Sequence, residues 1–323
     1  MKLSALYRSA VRTGIAHDLR GKKEIARLLK EEKKAYTDLK EEDRRYYDPD
    51  RHFNPYSDSR ILHGSPDTEV KKVIVGIDMQ VSEILLTYTL NRDRSAGIDL
   101  IVAHHPEGYA LARLFDVMKL QSDLLTNVGI SVSVAEMLMD KRISEIERRL
   151  LPVNHDRAVQ VARLLDIPFI CLHTPADNCV THFLGQTFSR KKPHRLKDLI
   201  EILKTIPEYQ RALKLQVSPK IVSGSENNRS GKIYVDMTGG TGGSSDVFDK
   251  LAASGISTVV GMHFSETHIE SAKKANLNLV IAGHVSSDVL GLNLLFDEIE
   301  KSERLEFVEV SGFERIRRKP TSG

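Results

Sequence analysis

The sequence contains no tryptophan, and its aromatic fraction is 6%. Such a chain offers little as a stacking platform for single-stranded bases. Two cysteines, Cys171 and Cys179, are too few for a disulfide framework, so a reducing cytoplasm is the expected compartment. No apolar run approaches the roughly 20 residues that a membrane helix needs, so no membrane partner is expected. The opening Met1-Lys-Leu-Ser-Ala-Leu6 leads into Tyr and Arg rather than into the apolar stretch of a secretion signal. Charge of one sign is also lacking. The 47 basic and 44 acidic side chains leave a net charge of +3 over 323 residues, which is weak support for a polyanion partner. What is present is a 41% hydrophobic, 28% charged balance, enough for one large globular domain or two ordinary ones.

Residues 1–57 stand apart as a charged helical extension. From 18 to 47 the text is dense in both signs, as in Glu31-Glu-Lys-Lys-Ala-Tyr-Thr-Asp-Leu-Lys-Glu-Glu-Asp-Arg-Arg45. Apolar residues recur only thinly at helical spacing, which predicts one or two solvated helices docked on a narrow face. The interspersed acids speak against a nucleic-acid arm. Strand and helix signals then alternate. Strands are predicted over 70–77, 98–103, 130–134 and 168–172, and helices over 80–91, 110–127, 136–150, 156–165 and 196–204. A second block from 217 places strands at 232–236, 258–261, 277–282 and 305–311, with helices at 246–253, 268–275 and 289–301. This is an α/β protein of two lobes with largely parallel sheets, over 58–216 and 217–315, followed by a basic tail at 316–323.

Four features end strands or open helices, where α/β folds keep their chemistry. The first is Ala103-His104-His105-Pro106. Neighbouring strand positions point to opposite faces, so two adjacent imidazoles cannot both be core residues. At a strand end both can turn into one cleft, and imidazole is the commonest transition-metal ligand. An ordinary polar strand end is the plain alternative, and the motif alone favours it. The second, Gly283-His284-Val-Ser-Ser-Asp288, sets an imidazole and a carboxylate on one face of a first helical turn. A serine cap followed by a helix-favouring acid would read the same way. The third, His173-Thr-Pro-Ala-Asp177, offers Asp177 as a ligand, and His173 as a ligand or as a partner that orients one. An ordinary N-cap is its alternative. The fourth is a loop with Gly239, Gly240, Gly242 and Gly243 between a strand and a helix, where exposed amides bind anions. It lacks the lysine of a P-loop and the spacing of a dinucleotide fingerprint, and a tight turn is the plain alternative.

In this order the motifs resemble those of the NIF-three-like family, also called the GTP cyclohydrolase I type 2 homologue family and a domain of unknown function. The resemblance covers 58–315. Asp58-Ser-Arg-Ile-Leu-His-Gly64, and the run from Asp67 to Asp78, are similar to the family's opening stretch. Asp99-Leu-Ile-Val-Ala-His-His-Pro106 is similar to its most specific motif. The glycine loop resembles a second-lobe feature, and Gly283-His284 with an acid four residues on resembles the closing motif. The resemblance implies a NIF-three-like fold of two similar lobes, with two divalent metal ions in the cleft between them. Their implied ligands are His104, His105, Asp177, His284 and Asp288, and nitrogen and oxygen donors without thiolate suit zinc, iron or manganese. Asp288 stands where the family usually has Glu. Asp177 lies farther from His105 than is usual, which makes 136–166 a helical insertion. Asp140 sits nearer the usual spacing and is its rival. A loosely fitting stretch, Gly261-Met-His-Phe-Ser-Glu-Thr-His268, leaves Glu266 and His268 as candidates for moving protons. The implied activity is a metal-dependent hydrolase acting on an anionic, phosphate-containing or nucleotide-like small molecule. A non-enzymatic metal-binding or regulatory protein is the alternative. The implied assembly is a homo-oligomer, a ring-shaped hexamer.

Overall fold

The computed structural model describes residues 1–318, so most of the predicted basic tail lies outside the described residues. The chain opens with α1 (Leu3–Ala16), α2 (Lys22–Asp38) and a short α3 (Glu41–Arg44). The first of these is not a solvated extension. Leu3, Leu6, Tyr7, Ala10 and Val11 make a helical stripe buried in the main core. By contrast, α2 buries only Ile25, and its charges pair nearby, Arg27 with Glu24 and Glu31 and Glu32 with Arg51.

The next elements are β1 (Arg60–His63), β2 (Lys72–Gly76), α4 (Val81–Arg94), β3 (Leu100–Ala103), α5 (Gly108–Ala112), α6 (Leu114–Val117) and α7 (Lys119–Asn127). After them come α8 (Val132–Leu150), α9 (Arg157–Leu164), β4 (Phe169–Cys171), α10 (Thr174–Lys191), α11 (Leu196–Lys204) and α12 (Pro207–Lys214). The second block holds β5 (Lys220–Ser223), β6 (Lys232–Asp236), α13 (Phe248–Ala253), β7 (Ile256–Gly261), α14 (Glu266–Lys274), β8 (Asn278–Ile281), α15 (His284–Ile299) and β9 (Glu306–Glu309). The strand expected over 130–134 is instead the start of α8. Its short β-branched run is overridden by the helical stripe Ala135, Met139, Ile143 and Ile146, which is buried. Among the described residues no helix is long and apolar enough to cross a membrane.

Two sheets result, with orders β1-β4-β3-β2-β9 and β5-β8-β7-β6. They are built alike. Each begins with an antiparallel edge strand that shifts register, at Ile61/His63 in one and Ile221/Ser223 in the other. Each then runs three parallel strands in reverse chain order. Strand β3, Leu-Ile-Val-Ala, is buried throughout, as a parallel strand covered on both faces must be. The last strand, predicted to end the second lobe, pairs with β2 and closes the first sheet. Its text, Glu306-Phe-Val-Glu309, specifies a strand but not an edge, and α15 carries the chain from β8 of the second sheet back to the first.

The lobes are tied together by α10. Ala176 and Cys179 face the core of the first sheet, while Val180, Leu184 and Phe188 pack with Val235, Val260 and Val280 of the second. Two glycines let other helices approach the start of α10. A Cβ on Gly14 of α1 would lie 2.8 Å from Pro175 Cα, and one on Gly291 of α15 would lie 2.6 Å from the Ala176 carbonyl oxygen.

Candidate metal centre

Three strand ends deliver the site. β3 stops at Ala103, and His104 and His105 follow before Pro106. β4 leads to His173 at the N-cap of α10, with Asp177 in the first turn. β8 leads through Gly283, whose φ of 115° suits glycine, to His284 and then Asp288 on α15. The second and third deliveries are the same construction in the two lobes: a strand, a histidine, three residues and an aspartate at the head of a buried helix.

The geometry brings all five family-implied residues together and adds His173. His104 is fully buried, and its Nε2 lies 3.4 Å from Asp177 Oδ1 and 3.5 Å from Asp288 Oδ1. Asp288 Oδ2 lies 3.6 Å from Nε2 of His105 and 3.6 Å from Nε2 of His284. His173 Nε2 stands 3.8 Å from Asp177 Oδ2. These separations are long for hydrogen bonds. They are near the roughly 3.3 Å expected between two donors that share one tetrahedral ion at ~2.0 Å from each. Three overlapping groups have ligand atoms within 4.8 Å of one another: His104, His105 and His173; His105, His284 and Asp288; and His104, Asp177 and Asp288.

Unsatisfied atoms make the same point. His104 Nε2, Asp177 Oδ1 and both carboxylate oxygens of Asp288 are buried without a hydrogen-bond partner. A buried unpaired charge carries a penalty of several kcal/mol, which a cation between the carboxylates removes. The opposite nitrogen of three rings is already engaged. His104 Nδ1 donates to the Leu172 carbonyl at 3.2 Å, His105 Nδ1 to Asp78 at 2.7 Å, and His173 Nδ1 to Asp58 at 2.8 Å. Each bond turns Nε2 toward the cluster, as the outer partners of metal-ligating histidines do. These buried histidine and aspartate groups could therefore hold a metal ion. Without one, His104 carries the balancing charge. Burial lowers its pKa, but Asp288 and Asp177 outweigh burial and raise it to about 10. Burial would raise the Asp288 carboxyl, but His104, His284 and His105 hold it below its ordinary value. His105 is lowered by burial and by the neighbouring His104 and His173 charges.

Asp58 and Asp78 are not among the site residues expected from the sequence. Both are acids beside a strand end, β1 and β2 respectively, and that position is the signal that could have found them. Asp58 is fully buried and accepts from Thr174 Oγ1 at 2.6 Å and Ser59 Oγ at 3.2 Å as well as from His173. Asp58→Ala is expected to weaken metal binding by about 10- to 100-fold in a metal titration, the usual effect of removing an orienting partner. Unchanged affinity would count against His173 as a contributor.

The other candidates fall elsewhere. Asp140 is exposed on α8 and belongs to none of the three groups, so the structure brings Asp177, not Asp140, to the cluster. Glu266 is exposed at the start of α14. His268 has both ring nitrogens engaged, Nε2 donating to the Gly243 carbonyl at 3.1 Å and Nδ1 bonded to Ser265 Oγ at 2.5 Å. It braces the glycine loop. His263, to which the sequence reading gave no role, packs on His284 with ring centroids 4.9 Å apart.

The cluster borders a cavity of about 720 Å³, lined by His105, His173, Asp177 and His284 on one part and by the glycine loop on another. Gly239 and Gly240 adopt φ of 95° and 87°, and a Cβ on either would lie 2.6 Å from Gln121 Cγ or 2.8 Å from Val117 Cγ1. Gln121 Nε2 donates to the carbonyls of Gly239 and Thr241 at 2.7 and 2.6 Å. Close packing on α6 and α7 therefore requires these glycines. Behind the loop stand only a 3-10 turn (Ser245–Val247) and α13, six residues long, so little helix dipole is available there.

Fold and site together define a two-lobed α/β protein with a histidine–aspartate centre, fit to hold metal, where its two sheets meet. Residues 46–315 match the family model for Duf34/NIF3 (NGG1p interacting factor 3), and the chain belongs to that family. Among solved structures it is similar to a NIF3 superfamily protein from Sphaerobacter thermophilus. The identity is 27% and the TM-score 0.68, over 80% of this chain and 92% of that one. The fold is also shared with reduced HcgD from Methanocaldococcus jannaschii, at 16% identity and TM-score 0.50, over 78% of this chain and 87% of that one. No curated protein matches the sequence.

Proposed function

We propose that this protein is a divalent-metal-dependent hydrolase acting on an anionic, phosphate-containing small molecule. The observation that carries the reading is the pair of buried carboxylates, Asp177 and Asp288, whose unpartnered oxygens face imidazole Nε2 atoms beside an open cavity. His104, Asp177 and Asp288 would hold one ion, and His105, His284 and Asp288 a second, with zinc, iron or manganese suited to these donors. Bound ions of this kind supply Lewis acidity toward water and phosphoryl oxygens. The chain's own residues do the rest. Asp58 and Asp78 hold the His173 and His105 rings in orientation, and His268 and Gln121 hold the glycine loop at the cavity wall. His263, on the cavity wall beside His284, is placed to exchange a proton with substrate.

The test is a hydrolysis screen of phosphomonoesters, phosphodiesters and nucleotides with protein loaded with zinc, iron or manganese. Metal-dependent turnover by the wild type, lost in His105→Ala together with bound metal, is expected. Full metal occupancy with no turnover of any anionic substrate would contradict the hydrolase reading and leave a metal-binding protein.

A further inference from the structure

A basic edge of α8 lines the same cavity. The α8 residues Ala135, Met139, Ile143 and Ile146 bury against Tyr234, Phe248 and Leu251 of the second lobe. Arg142, Glu145 and Arg149 recur at helical spacing on the adjoining stripe, and with Lys141 they line the cavity. Arg142 is the most buried of the three bases, its side chain 18% exposed against 66% for Arg149 and 80% for Lys141. Its Nε donates to the Gly242 carbonyl at 3.0 Å and its Nη1 to Glu145 at 2.8 Å. A guanidinium has five N–H donors. Two are thus used to fix the fork beside the glycine loop, and the others have no acceptor among the described residues.

Contacts place this fork within reach of the cluster. A Gly242 Cβ would stand 4.0 Å from His263 Cε1, and His263 packs on His284. One imidazole and one turn of loop separate Arg142 from the histidine–aspartate cluster, a span that one small molecule bridges. Glu145 pairs with both Arg142 and Arg149, and Asp246 with Lys141, so along this edge of α8 three bases meet two acids. A planar arginine fork matches a phosphoryl group, and its field is strongest where water is excluded.

We propose that Arg142, supported by Lys141 and Arg149, is the anion subsite of this cavity and selects substrates with a terminal phosphoryl group set apart from the bond at the cluster. The proposal rests on the cavity being the substrate site, but it is separable from the metal chemistry. Binding of inorganic phosphate by the purified protein tests it, measured calorimetrically for wild type, Arg142→Gln, the double variant Lys141→Gln/Arg149→Gln, and His105→Ala. Arg142→Gln is expected to bind phosphate about ten-fold more weakly or worse, with the melting curve and metal content of the wild type. The double variant, whose charges are screened by solvent, is expected to lose about threefold. His105→Ala, which loses metal, is expected to keep the part of the phosphate affinity that Arg142 supplies. Unchanged affinity in both basic variants would overturn the proposal, as would affinity lost in His105→Ala but kept in Arg142→Gln, which puts the anion on the cluster. Should Arg142→Gln fail to fold, the double variant decides by the same criterion. Failure of the hydrolase reading looks different: phosphate held through Arg142 by a metal-loaded protein that turns over nothing.

Discussion

Asp288→Ala is expected to bind divalent metal at least about a hundred-fold more weakly than the wild type, the largest effect of any single substitution in the cluster. Asp288 is the residue common to the two groups that draw on both lobes, with Oδ1 near His104 and Oδ2 near both His105 and His284. It is fully buried and neither oxygen has a hydrogen-bond partner, so no protein group depends on it for anything but charge. Removing it leaves His104 with Asp177 alone and leaves His105 and His284 with no carboxylate at the cluster. Thermal unfolding reads the result. Metal at a hundred times its Kd stabilises a protein by about 2.7 kcal/mol, several degrees in melting temperature for a chain of this size. The wild type is expected to show that shift on adding zinc or manganese, and Asp288→Ala to show at most about 0.4 kcal/mol of it. An equal shift in both proteins would place the bound metal elsewhere.

Gly291→Ala is expected to destabilise the protein by about 1–3 kcal/mol and to lower metal affinity with it. Replacing glycine by alanine inside a helix ordinarily gains about 1 kcal/mol, so the expected sign is the reverse of the usual one. The reason is steric. The new methyl would lie 2.6 Å from the Ala176 oxygen and 3.0 Å from its carbonyl carbon, which are backbone atoms and cannot rotate away. Ala176 directly precedes Asp177, and Gly291 lies three residues past Asp288. Overpacking there pries apart α10 and α15 at the level of the two carboxylates. Gly185→Ala, on α10 with nothing within 4 Å of the added Cβ, is the matched control and is expected to be neutral or stabilising. Equal melting temperatures for the two variants, measured with metal absent, would show that the helices have slack to give.

Much of this centre is written locally. A Leu-Ile-Val-Ala run specifies a buried parallel strand, which lets the His104-His105 pair at its end turn into a cleft. The twice-used pattern of a strand, a histidine and an aspartate four residues on is visible at His173/Asp177 and His284/Asp288, and it marks two lobes built to one plan. Family likeness then joined these pieces in order. Four features could not be read the same way because they depend on distant partners. The stripe Leu3, Leu6, Tyr7, Ala10 and Val11 becomes core only because α10 and α15 lie against it. Strand β9 carries a pattern that fits either sheet edge and pairs with β2. Gly291 looks like a weak point in a helix until the backbone of Ala176 is set against it. The orienting acids Asp58 and Asp78 lie 115 and 27 residues from the histidines they hold, and local spacing gives no hint of those bonds.

Anomalous diffraction from crystals of the purified protein, recorded on both sides of the zinc, iron and manganese absorption edges, tests the central claim most directly. The account predicts a peak bounded by His104, Asp177 and Asp288, with a second near His105 and His284. Crystals grown with these metals that show no peak at the cluster, with its carboxylates ordered and their oxygens bonded to water alone, would contradict it.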